Sequence, residues 1–260
     1  MPDYRIASLV PSLTELIAEL GLSDCLVART GYCLHPQWAV KRVPKVGGTK
    51  DVNLAKLERL GPTHVLVNKD ENRREVVDRI RRWPKPPIVL ETHPVQPQDN
   101  LDLLAQVAAA FALHPAVGPR ASALDAALRC ALDATGGAGF EDQRVLYLIW
   151  CEPWMTVARD TYISRMLARV GWQTLPDVCG GPVGASRYPV VEPDETWLKD
   201  VQRVLLSSEP YAFGGEHIAR ARALCPNARV DLVDGALISW YGPRAVAGLH
   251  YLKFLAQPGT

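Results

Sequence analysis

No stretch of this chain approaches the ~20 consecutive apolar residues of a membrane-spanning helix, and almost no net charge is left over. Lys and Arg number 29 against 28 Asp and Glu, a formal charge of +1. That balance gives no field suited to nucleic acid or an anionic membrane. The one basic cluster, "NRREVVDRIRRW" at 72–83, alternates arginines with apolar positions at helical spacing, as a solvated helix face does. The opening "MPDYRIASLV" has no charged n-region, long apolar h-region or small-residue cleavage site. Cys25, Cys33, Cys130, Cys151, Cys179 and Cys225 are scattered with no C-x-x-C pair, which suits free thiols better than a disulfide framework. The expected compartment is the cytoplasm, or the periplasm if the N-terminus has been trimmed.

The familiar catalytic signatures are missing too. "VGGTKD" at 46–51 lacks the longer Gly-bounded loop of a phosphate-binding motif, and Asp51 follows Lys50 where Ser or Thr is needed. There is no G-x-G-x-x-G, G-x-S-x-G or H-E-x-x-H. These absences favour binding over catalysis, and no catalytic residue is assigned.

What is present is a rhythm. Apolar residues make up 48% and charged residues 22% of 260, ordinary for a soluble protein and enough for one large α/β domain or two lobes. "RIASLV" predicts a strand and "PSLTELIAELG" a helix, with Ser12 and Glu15 spaced as a capping box and Gly21 as the stop. "CLVART", "HVLVN" and "PIVLE" predict strands. "NLAKLERLG", capped by Asn53 and stopped by Gly61, predicts a helix, as do "ENRREVVDRIRRW" and "DNLDLLAQVAAAF". Such alternation predicts a parallel sheet covered by helices on both faces. At "HPAVGPR" the rhythm breaks. An Ala/Leu-rich helix follows, free of Gly and Pro after Pro119, and "TGGAG" closes it. The alternation restarts at "RVLYLIW", with helices expected in "TYISRMLARVG", "DETWLKD", "EHIARARAL" and "PRAVAGLHYLKFLA", and strands in "RVLLSS" and "ARVDLVD". The expected organisation is an α/β lobe over 1–116, a bridging helix over 117–137 and a second α/β lobe over 138–260. The two Rossmann-like lobes would hold a ligand cleft between them.

Polar and aromatic residues cluster just past the predicted strands, where open α/β sheets place their ligands. These are Pro11 and Ser12; Tyr32, Cys33 and His35; Asn68 and Glu71; and, in the second half, Trp150, Trp154, Glu209, His217, Trp240, Tyr241 and Arg244. Cys33, His35 and His217 are of metal-ligating type. Trp240, Tyr241 and Arg244 occupy a Gly/Pro turn where large aromatics are less expected as core. An aromatic wall with one Arg suits a large flat ligand carrying carboxylates or amides.

Taken in order, "SLVPSLTEL", "VGGTKDVNLAKLERLGPTHVLVN" and "VDGALISWYGPR" resemble the helical-backbone (class III) substrate-binding proteins, receptors of bacterial importers for cobalamin, haem and ferric siderophores. The cobalamin-binding members look most similar. "GYCLHP", "NKDEN", "PWMTVARDTY", "RYP" and "EPYAF" extend the likeness to a signal-less subgroup labelled helical-backbone metal receptor. The resemblance implies two α/β lobes joined by a long helix, with cobalamin or another metal tetrapyrrole or chelate between them. Its ligand contacts would fall on Pro11, Ser12, Tyr32, Gly48, Thr49, Trp150, Trp154, Trp240 and Tyr241. It also implies acidic knobs that dock on an ABC permease. Ala55 stands at the first knob position, and Asp194 or Glu195 at the second, so docking is doubtful. Two alternatives stay open: a chelatase-like enzyme of comparable shape using His35, His217, Glu71 and Glu209, and a periplasmic importer receptor.

Overall fold

The computed structural model describes residues 3–137, 139–182 and 184–257. Two compact units emerge. The first comprises Met1–Pro94, Asp99–Leu128 and Tyr241–Pro243; the second comprises Val95–Gln98, Arg129–Trp240 and Arg244–Thr260.

The first unit is built on β1 (Ile6–Ser8), α1 (Pro11–Glu19), β2 (Leu26–Arg29), α2 (Gln37–Val40), α3 (Leu54–Arg59), β3 (His64–Asn68), α4 (Arg74–Arg81), β4 (Ile88–Thr92) and α5 (Asp99–Ala110). Its four strands run parallel in the order β2-β1-β3-β4. Every residue of β1 and β3 is buried, because parallel strands are covered on both faces and so read as apolar runs rather than alternations. Ala7, Leu9, Val65 and Val67 pack with Leu57, Val77 and Ile80 in one core cluster.

The chain passes between units within α6 (Val117–Asp133). The second unit then repeats the first one's plan with β5 (Gln143–Leu148), α7 (Tyr162–Ala168), β6 (Trp172–Thr174), β7 (Arg203–Ser207), α8 (Glu216–Leu224), β8 (Arg229–Val233), α9 (Gly235–Ser239) and α10 (Arg244–Leu255). Its strand order, β6-β5-β7-β8, is again parallel and the counterpart of the first. Leu146, Leu148, Val204, Leu206, Phe213 and Leu224 form its core with Leu198 and Val201.

Local chemistry sets most helix ends. Asn53 accepts a hydrogen bond from the Lys56 N–H at the start of α3, and Gly61, at φ +55°, ends that helix. Thr161 caps α7, and Asp234 caps α9 through the N–H groups of Ala236 and Leu237. The capping box expected from Ser12 and Glu15 does not form. Pro11 occupies the first helical position, where its fixed φ and missing N–H cost nothing, so Val10 becomes the N-cap and Ser12 falls at the second helical position, two residues past the cap. "DETWLKD" also departs from expectation: Thr196–Asp200 is a short 3-10 turn. The periodicity does not predict β6, α2 or α9, which are three to five residues long and too short to show a period. Among the described residues, no helix is long and apolar enough to cross a membrane.

Candidate functional site

In both units the carboxyl ends of the strands collect the polar and aromatic side chains.

In the first unit, Asn72 organises the site. It is 4% exposed. Its Oδ1 accepts from the Asn68 N–H at 2.9 Å, and its Nδ2 donates to the carbonyls of Leu9 at 3.3 Å and Thr49 at 2.9 Å. One side chain thereby ties the end of β1, the Gly-rich loop and the turn after β3. Asn68 is itself buried, and its Oδ1 accepts from the Asp70 N–H, so it shapes the turn rather than offering a free amide. Gly47 has φ +104°, and a Cβ there would collide with the Asp51 carbonyl. The glycine lets that loop fold back as Gly48 N–H donates to Asp51 O at 3.1 Å. Tyr32 stands 64% exposed, with its ring edge against Gly48.

Ser12 is buried, with its hydroxyl beside that of Tyr241. Pro11 starts α1 beside it. Tyr241 belongs to this unit although Trp240 belongs to the other. It is only 7% exposed, and its hydroxyl donates to Glu71 Oε1 at 2.9 Å. Burial, reinforced by the Glu71 carboxylate, holds that phenol well above its ordinary pKa. The next residue is pinned as well, with Gly242 N–H donating to Asn100 Oδ1 at 2.6 Å. Tyr241 is therefore a buried hydrogen-bond donor rather than the open stacking surface expected of it.

In the second unit an aromatic cluster sits past β5 and β7. Trp150, 41% exposed, meets Tyr211 edge-on at 5.4 Å between centroids. Tyr211 contacts Phe213 at 4.7 Å, and Trp154 stacks on Phe213 at 6.0 Å and 11°. Arg220 lies over Trp154 and pairs with Glu152. Glu209 links this cluster to the segment after β8. Its Oε1 accepts from Trp240 Nε1 at 2.6 Å and from Ser239 Oγ at 2.8 Å. Arg244 lies over the Trp240 ring at 4.2 Å. The indole is thus fixed at its nitrogen and on one face.

The metal-ligand reading of Cys33, His35 and His217 gains no support. Cys33 is 0% exposed, hydrogen-bonded to Thr30, and its thiol pKa is raised by burial, whereas His35 is exposed. His217 Nδ1 accepts from the Gly214 N–H at 3.0 Å, which leaves its proton on Nε2, facing Tyr211 Oη at 3.0 Å. Glu216 Oε1 also lies 3.3 Å from Nδ1. Among the described residues, no group of three or more His, Cys, Asp or Glu side chains is placed to hold a metal. Of the groups named for a chelatase, Glu71 is engaged with Tyr241, Glu209 with Trp240 and His217 as above, while His35 is exposed.

Residue type alone does not mark Asn72 as the organiser of these strand ends. Its only sequence signal is its place at the end of the polar turn "NKDEN". At the docking positions, Ala55 is exposed on α3, Asp194 and Glu195 are exposed, and Glu195 Oε2 accepts from Trp197 Nε1.

No protein-family model matches the chain. A vitamin B12-binding protein of Vibrio vulnificus (strain YJ016) is 26% identical over 215 residues, covering 82% of this chain and 73% of that protein. Among solved structures, the periplasmic vitamin B12 binding protein BtuF of Vibrio cholerae superposes with a TM-score of 0.80 at 18% identity, covering 98% of each chain. The periplasmic heme binding protein HutB of Vibrio cholerae gives 0.79 at 19% identity, over 98% of this chain and 100% of its own. The two parallel-sheet units are the fold these structures share.

Proposed function

We propose that the chain, which is similar to vitamin B12-binding proteins, is a helical-backbone substrate-binding protein, a soluble binder of a cobalamin-like tetrapyrrole or another flat metal chelate. The observation that carries this is the second unit's aromatic cluster. Trp150, Tyr211 and Trp154 gather at the strand ends, and Trp240 is held by Glu209 and Arg244. Fixed aromatic faces bind planar ligands at small entropic cost, and the adjoining guanidinium suits peripheral carboxylates or amides. In the first unit, Tyr32, Gly48, Thr49 and the Ser12 hydroxyl are the candidates for ligand contact. No protein side chain is assigned as a metal ligand, so the metal belongs to the cargo.

Titration of the purified protein with cyanocobalamin and, separately, with haem, followed by absorbance and tryptophan fluorescence, tests the proposal. Saturable quenching with either supports it. Absence of binding to both sinks it. The named relatives include proteins titled periplasmic, so the cytoplasmic expectation gains no support from them. Fractionation of the native host decides the compartment. An importer partnership is tested by pull-down with a B12-type permease, where Ala55 removes one of the two acidic contacts that the resemblance implies.

A further inference from the structure

A cavity of about 570 Å³ lies in the second unit, away from the aromatic cluster, lined among others by Gln98, Asp142, Arg165 and Arg169. Asp142 and Gly171, both on its wall, immediately precede β5 and β6. The cavity therefore opens at the amino ends of the strands. The six residues of β5 put it roughly 20 Å from the carboxyl ends where Trp150 follows.

Two cations face this space, one turn apart. Arg165 lies in the last turn of α7 and Arg169 is that helix's C-cap. Like charges at i and i+4 share a helix face and repel. Arg169 has a structural tie, since its Nη2 donates to Leu132 O near the end of α6. Its Nε remains buried without a partner. Arg165 is half-buried and, among the described residues, its side chain makes no hydrogen bond or ion pair. The carboxyl end of α7 partly offsets one such charge. Asp133 acts on Arg169 across space and Asp142 stands on the same wall, but among the described residues neither forms an ion pair with Arg165. A partly desolvated guanidinium with no ion-pair partner carries a cost that a bound anion lowers.

We propose that this cavity is a second binding site, for a small oxyanion gripped by the Arg165 guanidinium and neutralising Arg169 beside it. The Gln98 amide offers a further donor. Asp142 disfavours densely charged polyanions and accepts a hydroxyl from the ligand. Inorganic phosphate and a hydroxylated carboxylate share this chemistry.

Calorimetric titration with inorganic phosphate and, separately, with lactate, at fixed ionic strength, distinguishes the two sources. Wild-type protein is expected to bind at least one of them saturably, one per chain. Arg165→Gln should weaken that binding by at least about tenfold with an unchanged circular dichroism spectrum, because Arg165 has no internal partner to lose. Arg79→Gln, an exposed arginine on α4 of the first unit, should bind like wild type. No saturable heat with either anion, or equal binding by Arg165→Gln, or equal loss in Arg79→Gln, would each overturn the proposal. None of these outcomes bears on tetrapyrrole binding, which is read with different ligands.

Discussion

Replacing Asn72 by Ala tests whether one buried amide holds the first unit's strand ends together. The substitution removes an acceptor from the Asn68 N–H and a donor from the carbonyls of Leu9 and Thr49. Asn68 and Leu9 are buried, with Asn68 3% and Leu9 0% exposed, so water does not readily replace the lost partner. Leaving a buried polar group unsatisfied costs about 1–3 kcal/mol. With one N–H and one carbonyl fully buried, the expected destabilisation is about 2–4 kcal/mol. At about 2–4 °C per kcal/mol for a chain of this size, the thermal midpoint falls by roughly 5–15 °C. Circular dichroism melting reads the midpoint, and amide hydrogen exchange reads the loop. Residues 47–50 should exchange faster in the variant, because Thr49 O loses its anchor. Asn72→Asp separates shape from hydrogen bonding. It keeps the outline and the acceptor but turns a charged oxygen on two carbonyls, so it should destabilise at least as much as Ala. A midpoint within about 1 °C of wild type for Asn72→Ala, or a neutral Asn72→Asp, would refute the reasoning.

Three further outcomes are expected. Trp240→Ala should weaken cobalamin or haem binding by about 1–3 kcal/mol while leaving the melting transition in place; a lost fold with no separable binding defect would mean the indole is only packing. Burial opposes ionisation of Asp160, but the N–H groups of Gly180 and Gly181 donate to its carboxylate and hold its pKa below the usual value. Its stabilisation is therefore present above the unfolded-state pKa and is lost as pH falls through the lower folded-state value. Asn at position 160 should flatten the acid limb of the pH–stability curve, and an unchanged limb would count against this. Native thiol titration should show Cys130 and Cys179 reacting first, with Cys33, Cys151 and Cys225 reacting only on unfolding. Cys225 in particular is buried and pushed up to about 11; rapid labelling of Cys33 would contradict its burial.

The sequence by itself determined the layering. Runs such as "HVLVN" and "VLL", separated by capped amphipathic stretches, can be satisfied only by parallel strands under helices, because each run is apolar on both faces and each helix on one. Asn53, Gly61 and Gly21 act locally, through a side-chain cap or a backbone turn, and so were legible from their neighbours alone. Tertiary structure decided the rest. Pro11 displaced the capping role from Ser12 to Val10 because one extended residue had to leave β1 before the helix began. β6 exists because Trp172–Thr174 finds β5 beside it, a pairing that three residues cannot announce. The chemistry of the strand ends was also decided by distant partners. Cys33 is silenced by Thr30 and burial, His217 by Gly214 and Tyr211, and Tyr241 is turned into a buried donor by Glu71, 170 positions away in sequence. Residue type states what a side chain is able to do; only the packed fold settles which of its atoms remain uncommitted.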